Sequence, residues 1–228
     1  MLGAIAIIPS APVLVPQLAG AAADEIADLR EAVIAAAASL PPRWIAVGTG
    51  RTDSVLGPDN IGTFAGFGVE LPVRLTPSRA GPPADLPLSA LMTAWVREQA
   101  QPEASAEVRV YAADHHVDSA LARGRQLRAE IDQLAEPTGV LIIADGANTL
   151  TAAAPGGYDP NDTQVQLALD DALACGDLAA LAGLPAQVVG RVPFQVLAGL
   201  AEPAPRSAKE LYRGAPYGVG YFAGIWQP

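Results

Sequence analysis

The chain has 228 residues and a mass of 23.3 kDa, with 14 Lys and Arg against 24 Asp and Glu, which gives a formal net charge of −10. This acidic balance argues against nucleic-acid partners, which need a basic face, and against anionic membrane surfaces. Half of the residues are apolar, so we expect one domain over residues 1–228. The one cysteine, Cys175, cannot form an internal disulfide or a thiolate-rich zinc site, which favours the cytoplasm.

The amino-terminal stretch is apolar, because no charged residue precedes Asp24. Pro9, Pro12 and Pro16 would break a membrane-spanning helix, and the first basic residue, Arg30, comes too late for a signal peptide. The stretch therefore predicts a buried strand followed by a proline-rich loop.

Short apolar runs alternate with longer amphipathic stretches along the rest of the chain, which is typical of an α/β sandwich. Helices are predicted where apolar residues recur at helical spacing, and strands where short apolar runs end in turns. Pro72 indicates that the third predicted strand lies at a sheet edge. The predicted strands are residues 3–8, 44–47, 69–75, 107–112, 139–143 and 218–226, and the predicted helices are residues 24–40, 87–99, 117–134, 162–181 and 185–200.

Polar segments follow four of the predicted strands. They are residues 9–12, 48–51, 114–116 and 145–148. Ligands of open α/β sheets bind beyond the carboxyl ends of parallel strands, so we expect these segments to share one rim if the strands are parallel.

Each segment also has an ordinary structural explanation. Gly48 and Gly50 fit a tight turn, because the sixth position of a GxGxxG frame is Asp53. Ser10 fits a loop hydroxyl, and Asp145 fits a turn after a strand.

Asp114, His115 and His116 form the most distinctive segment, since it contains both histidines of the chain. It fits a helix start with Asp114 as the N-cap, or a weak metal-ligand cluster.

Three further blocks resemble the subunit-B-like family of class III extradiol ring-cleavage dioxygenases, especially its Ala-rich actinobacterial branch. They are residues 7–16 (IIPSAPVLVP), the Asp145-Gly146 segment continuing to residues 154–160 (APGGYDP), and residues 215–222 (APYGVGYF). The resemblance implies a three-layer α/β/α sandwich around a central mixed, largely parallel sheet. It also implies an Fe(II) site with two His and one Glu ligands, a further His as acid/base, and a catechol substrate.

The chain departs from the family pattern at the functional positions. The His of the family's Pro-His-Pro-Pro motif is Ser10 here, and the second ligand His corresponds to Thr49 or Gly50. The catalytic His of the Gly-Asp-Leu-Ser-His motif corresponds to Asn148, and Glu210 is the nearest late carboxylate. Hydroxyls bind Fe(II) poorly beside imidazole, and an amide does not shuttle protons near neutral pH.

These departures predict a non-catalytic protein of this fold that binds a small aromatic or other small ligand, or a partner chain, with no cofactor. One alternative is a divergent dioxygenase that retains Fe(II). Another is a metal-free enzyme that uses Ser10, His115 and Asp145 as nucleophile, base and orienter. A third is an assembly subunit, as a homo-oligomer or with a second subunit, for which the small residues 35–38 permit close helix packing.

Overall fold

A computed structural model describes residues 1–78 and 81–228 of the chain. Its helices alternate with strands through most of the sequence. The strands are β1 (Leu2–Ile8), β2 (Arg43–Gly50), β3 (Ser54–Leu56), β4 (Ile61–Thr63), β5 (Pro72–Arg74), β6 (Ser105–Ala112), β7 (Thr138–Ile143), β8 (Ser207–Gly214) and β9 (Tyr221–Gln227). The helices are α1 (Pro16–Ala19), α2 (Ala27–Ala38), α3 (Leu88–Ala100), α4 (Val117–Asp132), α5 (Asp162–Cys175), α6 (Leu178–Ala182) and α7 (Arg191–Leu200).

Seven strands form a central sheet in the order β3-β6-β2-β7-β1-β9-β8. The four central strands, β6, β2, β7 and β1, are mutually parallel, in line with the largely parallel sheet that the family resemblance implies. The three outer strands are antiparallel to their neighbours, so the sheet is mixed. The carboxyl ends of β1, β2, β6 and β7 therefore lie along one edge, which we call the rim.

Helices cover both faces of the sheet and complete the three-layer α/β/α sandwich that the family resemblance implies. Side chains alternate along each strand, so neighbours enter different cores. Ala6 of β1 packs in the core beneath α2 and α3, whereas Ile7 packs in the core beneath α4, α5 and α7. We call these sides of the sheet the α2/α3 face and the α4/α7 face.

Helices α4 and α7 cross at two glycines. A Cβ atom on Gly124 would lie 2.1 Å from the carbonyl oxygen of Val196, and one on Gly199 would lie 2.2 Å from that of Leu121. The two backbones thus touch directly, and only glycine fits at these positions.

Several predicted boundaries are wrong. The helix predicted over residues 162–181 is two helices, because Gly176 adopts φ +76° and ends α5. The helix predicted over residues 185–200 begins only at Arg191, and the strand predicted over residues 69–75 is confined to β5. β5 pairs with β4 in a separate two-stranded sheet, while β3, β4 and β8 are not predicted.

The segment after β1 contains the predicted proline-rich turns together with the short helix α1. In the described ranges, no helix is long and apolar enough to cross a membrane.

Candidate functional site

Three chain segments meet at the rim beside the ends of β1 and β7. The main-chain N–H of Ser10 donates to Asp145 Oδ1 at 2.8 Å. Gly146 N–H donates to the carbonyl of Gly220 at 2.8 Å, and Gly220 N–H donates to that of Ala147 at 2.8 Å. The residues that follow β1 and β7 are thus tied to each other and to the start of β9. The structure brings together two of the predicted candidates, Ser10 and Asp145.

The Asp145 side chain is partly buried, and the pKa of its carboxyl is unusually high for an aspartate. Burial raises the pKa of its carboxyl to about 6, against the opposing effect of the hydrogen bond from Ser10. Among the described residues, no cationic side chain alters this pKa, and only one of the two carboxylate oxygens accepts a hydrogen bond. Asp145 therefore presents an ionisable group without a countercharge at the rim.

Tyr221 lies beside Asp145 on the α2/α3 face and is only 6 % exposed. Burial raises the pKa of its phenol, and the negative charge of Asp145 and the nearby phenols of Tyr217 and Tyr212 raise it further. Within the described chain, its hydroxyl has no hydrogen-bond partner. The ring is largely buried, but the hydroxyl oxygen reaches solvent and is open to a hydrogen bond from a ligand atom.

Two further tyrosines extend this surface toward the segment that precedes α2. Tyr217 donates its phenolic hydrogen to Glu25 Oε2 at 3.1 Å, and burial together with that carboxylate raises its pKa. The pKa of Tyr212 is raised by burial and by the charge of Asp28. The surface around Tyr221 is therefore aromatic and acidic.

Gln166 of α5 supports the Asp145 loop from below. Its Oε1 accepts from Ala147 N–H at 2.8 Å, and its Nε2 donates to Asp170 Oδ1 at 2.8 Å. Burial raises the pKa of Asp170 to about 6, against the opposing effects of Gln166 and Arg213. All polar groups of the Gln166 side chain are thereby engaged in holding the loop.

Gln166 fits only because two glycines pass over it. A Cβ on Gly146 or on Gly220 would lie 2.0 Å from Gln166 Oε1. Sequence reasoning missed Gln166 and Tyr221. The glycines at positions 146, 218 and 220 are the sequence signal that could have indicated close backbone packing around Gln166.

The end of β2 contributes little to this surface. Strand alternation places the side chain of Thr49 on the α4/α7 face, together with Val47. The positions that face Ser10 and Asp145 are Gly48 and Gly50, which have no side chain, and Ser89 of α3 fills the space above Gly48. An open depression of about 680 Å³ adjoins the ends of β2 and β6, lined in part by Arg51, Thr52 and residues 85–88.

Asn148 and Glu210 also lie apart from Asp145. The Asn148 side chain packs against the backbone of Gly156, where a Cβ would lie 2.4 Å from its Oδ1. Glu210 forms an ion pair with Arg213 on the edge strand β8. Arg213 in turn contacts Asp171 of α5, so Glu210 belongs to the α4/α7 face.

His115 forms a separate cluster beyond β6. Its Nε2 lies 2.7 Å from Asp53 Oδ1, which also accepts from Ala112 N–H at 2.9 Å, and Arg123 lies 3.4 Å from Asp53 Oδ2. Burial raises the pKa of Asp53, but the hydrogen bonds from Ala112 and His115 and the charges of His115 and Arg123 outweigh it and lower that pKa overall.

This placement does not assemble the metal-free triad. β7 and β2 lie between β1 and β6, so the axes of the strands that precede Ser10 and His115 are about 14 Å apart at about 4.8 Å per strand. His115 therefore pairs with Asp53 and not with Ser10 or Asp145. The N-cap of α4 is His116, not Asp114, and the Nδ1 of His116 accepts from Asp118 N–H at 3.4 Å.

The residues at the rim do not fit the Fe(II) site that the family resemblance implies. The matched positions offer the Ser10 hydroxyl, no side chain on the relevant face of β2, and an amide at Asn148 that packs elsewhere. Asp145 is the one carboxylate in this set. Over residues 1–78 and 81–228, no three His, Cys, Asp or Glu side chains are grouped closely enough to hold a metal ion, and Asp114, His115 and His116 form no such group.

The fold defines this chain as a three-layer α/β/α sandwich with a polar rim, and a solved structure shares that architecture. The crystal structure of the uncharacterized protein JW3007 from Escherichia coli K12 superimposes with a TM-score of 0.60. The match covers 99% of this chain and 100% of that chain, with 9% sequence identity. At this identity the likeness shows the fold alone. No protein-family model and no curated protein matches the chain.

Proposed function

We propose that this chain is a non-catalytic protein of the dioxygenase subunit-B type that binds a small organic molecule at the rim around Asp145. The observation that carries the proposal is the partly buried Asp145 carboxyl, which has one oxygen free and lies beside the unpartnered hydroxyl of Tyr221. The second carboxylate oxygen and the phenol oxygen both have free hydrogen-bonding capacity, which a ligand with matching polar atoms would use.

The architecture around Asp145 supports binding rather than a merely structural role. The hydrogen bonds from Ser10 to Asp145 and from Ala147 to Gln166 fix the loop in place before any ligand arrives. Preorganisation of this kind lowers the entropy lost on binding. The rim also lies at the carboxyl ends of parallel strands, where α/β proteins bind their ligands.

We expect no ring cleavage, because other residues replace the family's histidines. Ser10 and Asn148 are neutral, and Thr49 faces the other side of the sheet. Extradiol cleavage needs three protein ligands on one side of Fe(II) and a proton shuttle. These side chains supply neither, so we expect ligand binding without turnover of a catechol.

Fragment binding followed by NMR tests this proposal. A set of small aromatic and polar fragments is added to the ¹⁵N-labelled full chain, and the backbone amide shifts are mapped. We expect at least one fragment to perturb the amides of Ser10, Gly146 and Tyr221 together, with at least tenfold weaker binding to Asp145→Asn. Asp114→Asn is the matched control, because Asp114 is an exposed carboxylate beyond β6, which is separated from β7 by β2. Fragments that perturb only other regions would overturn the proposed site.

A further inference from the structure

We propose that the ligand of the Asp145 rim is a small organic cation, such as a protonated primary amine attached to a ring or a short chain. This inference rests on the proposed function, since it names the chemical class of molecule that the same site would take.

The first supporting observation is the lack of a countercharge for Asp145. By comparison, the exposed carboxylate of Asp53 contacts His115 and Arg123. Asp145 has only the main-chain N–H of Ser10, and in the described parts of the molecule no Arg, Lys or His acts on its pKa. A partly buried carboxylate without a cation is destabilised, and a bound ammonium would supply the missing charge.

The second observation is the acidic and aromatic character of the surroundings. Glu25 binds the hydroxyl of Tyr217, and the charge of Asp28 acts on Tyr212. Both tyrosines pack against the same core on the α2/α3 face as Tyr221. Tyrosine rings attract cations through their electron-rich faces, and carboxylates repel anions. The surroundings therefore favour a positively charged ligand over a negatively charged one.

The third observation concerns the unpartnered hydroxyl of Tyr221. The side chain is 6 % exposed and its hydroxyl lies near the Asp145 carboxyl. A phenolic oxygen accepts hydrogen bonds as well as donating them, and an ammonium group offers three donors. One ammonium could thus donate to Asp145 and to Tyr221 at the same time. A carboxylate ligand would instead approach Asp145 with like charge.

Three probes with the same ring but different charge test this inference: benzylamine, benzyl alcohol and benzoate. Each is titrated into the full chain at pH 7.5, and binding is measured from the amide shifts of Ser10, Gly146 and Tyr221. We expect benzylamine to bind at least tenfold more tightly than the other two. Its affinity should fall at least tenfold in Asp145→Asn and more modestly in Tyr221→Phe, whereas Asp114→Asn should bind it like the wild type.

The outcomes separate the inference from the proposed function. If benzyl alcohol or benzoate binds these residues as tightly as benzylamine, the preference for a cation is wrong, but the proposed location of the binding site is retained. If benzylamine binds Asp145→Asn as tightly as the wild type, the role given to the carboxylate is wrong. If none of the three perturbs these amides, the inference fails, and the wider fragment set then decides whether the site itself fails.

Discussion

The N–H of Ser10 donates to the carboxylate of Asp145 at 2.8 Å, although the two residues are 135 positions apart in the sequence. This bond joins the loop after β1 to the loop after β7, and it holds an ionisable group at the rim of the sheet. The other oxygen of Asp145 remains available, and burial raises the pKa of this carboxyl to about 6. The proposed ligand binding at the rim and the expected pH dependence of stability therefore depend on the same side chain.

Replacement of Asp145 by asparagine should increase stability at neutral pH. The native Asp145 keeps its proton up to about pH 6, whereas its ordinary pKa is 3.8. Between these values the native state binds more protons than the unfolded state, so this residue lowers the free energy of unfolding as the pH rises. We expect Asp145→Asn to exceed the wild type by roughly 2 kcal/mol at pH 7 and to match it near pH 4.

Urea unfolding at pH 4, 5, 6 and 7 measures this difference, with Asp114→Asn as the control for a general change of net charge. A variant that is less stable than the wild type at pH 7 would contradict this prediction. It would show that the ionised carboxylate stabilises the native state, instead of being destabilised by burial.

The fit of Gln166 under the glycine backbone gives a second prediction. Gly220→Ala would place a Cβ 2.0 Å from Gln166 Oε1, so we expect a loss of about 2 kcal/mol in the free energy of unfolding. Gln166→Ala alone should also destabilise, since Ala147 N–H and Asp170 lose their partner. The double variant should lose less than the sum of the two, because the smaller side chain removes the clash. Strict additivity in a double-mutant cycle would contradict this direct contact.

The crossing of α4 and α7 gives a third prediction. Gly124→Ala forces a Cβ toward the carbonyl oxygen of Val196, and backbone atoms cannot move aside as a flexible side chain can. We expect a loss of about 3 kcal/mol in thermal or chemical unfolding. Gly57→Ala is the matched control, because no heavy atom lies within 4 Å of a Cβ there. Equal effects of the two substitutions would mean that the helices separate at little energetic cost.

The Asp53 cluster should contribute to stability in the opposite pH direction from Asp145. Its lowered pKa stabilises the native state above the ordinary value of 3.8, and that contribution is lost as the pH falls through the native value. Because the side chain is 36 % exposed, we expect Asp53→Asn to lose only about 0.5–1 kcal/mol at pH 7 and almost nothing near pH 3.

Urea unfolding at the two pH values checks this prediction for Asp53. The same variant should bind fragments at the Asp145 rim like the wild type, since β2 and β7 lie between β6 and β1. A loss of rim binding in Asp53→Asn would show that the two clusters form one site.

Much of the central sheet is predictable from the sequence because buried parallel strands are continuous apolar runs, as in residues 139–143. The break at Gly176 is not, since apolar residues at helical spacing continue on both sides of it. β8 is missed because it lies at an exposed edge of the sheet and contains the charged residues Lys209, Glu210 and Arg213. It therefore lacks the apolar run from which a strand is predicted.

The candidate site is predictable only in part, for a related physical reason. Ser10 and Asp145 follow parallel strands, and the strand-end rule places them at one rim. Tyr221 reaches them because β9 pairs antiparallel with β1, and Gln166 reaches them because α5 packs beneath the loop after β7. Both contacts depend on long-range register and packing, which local sequence patterns do not contain. The same register keeps His115 away, although its position after β6 suggested a shared site.

Oxygen uptake tests most directly the central claim that this protein does not cleave catechol rings. The purified full chain is supplied anaerobically with Fe(II), mixed with catechol and oxygen, and followed by an oxygen electrode and by ultraviolet absorbance. We expect oxygen consumption at the rate of Fe(II) and catechol without protein, and no ring-cleaved product. Fe(II)-dependent and protein-dependent formation of a ring-cleaved product, with one O₂ consumed for each catechol, would contradict the proposal.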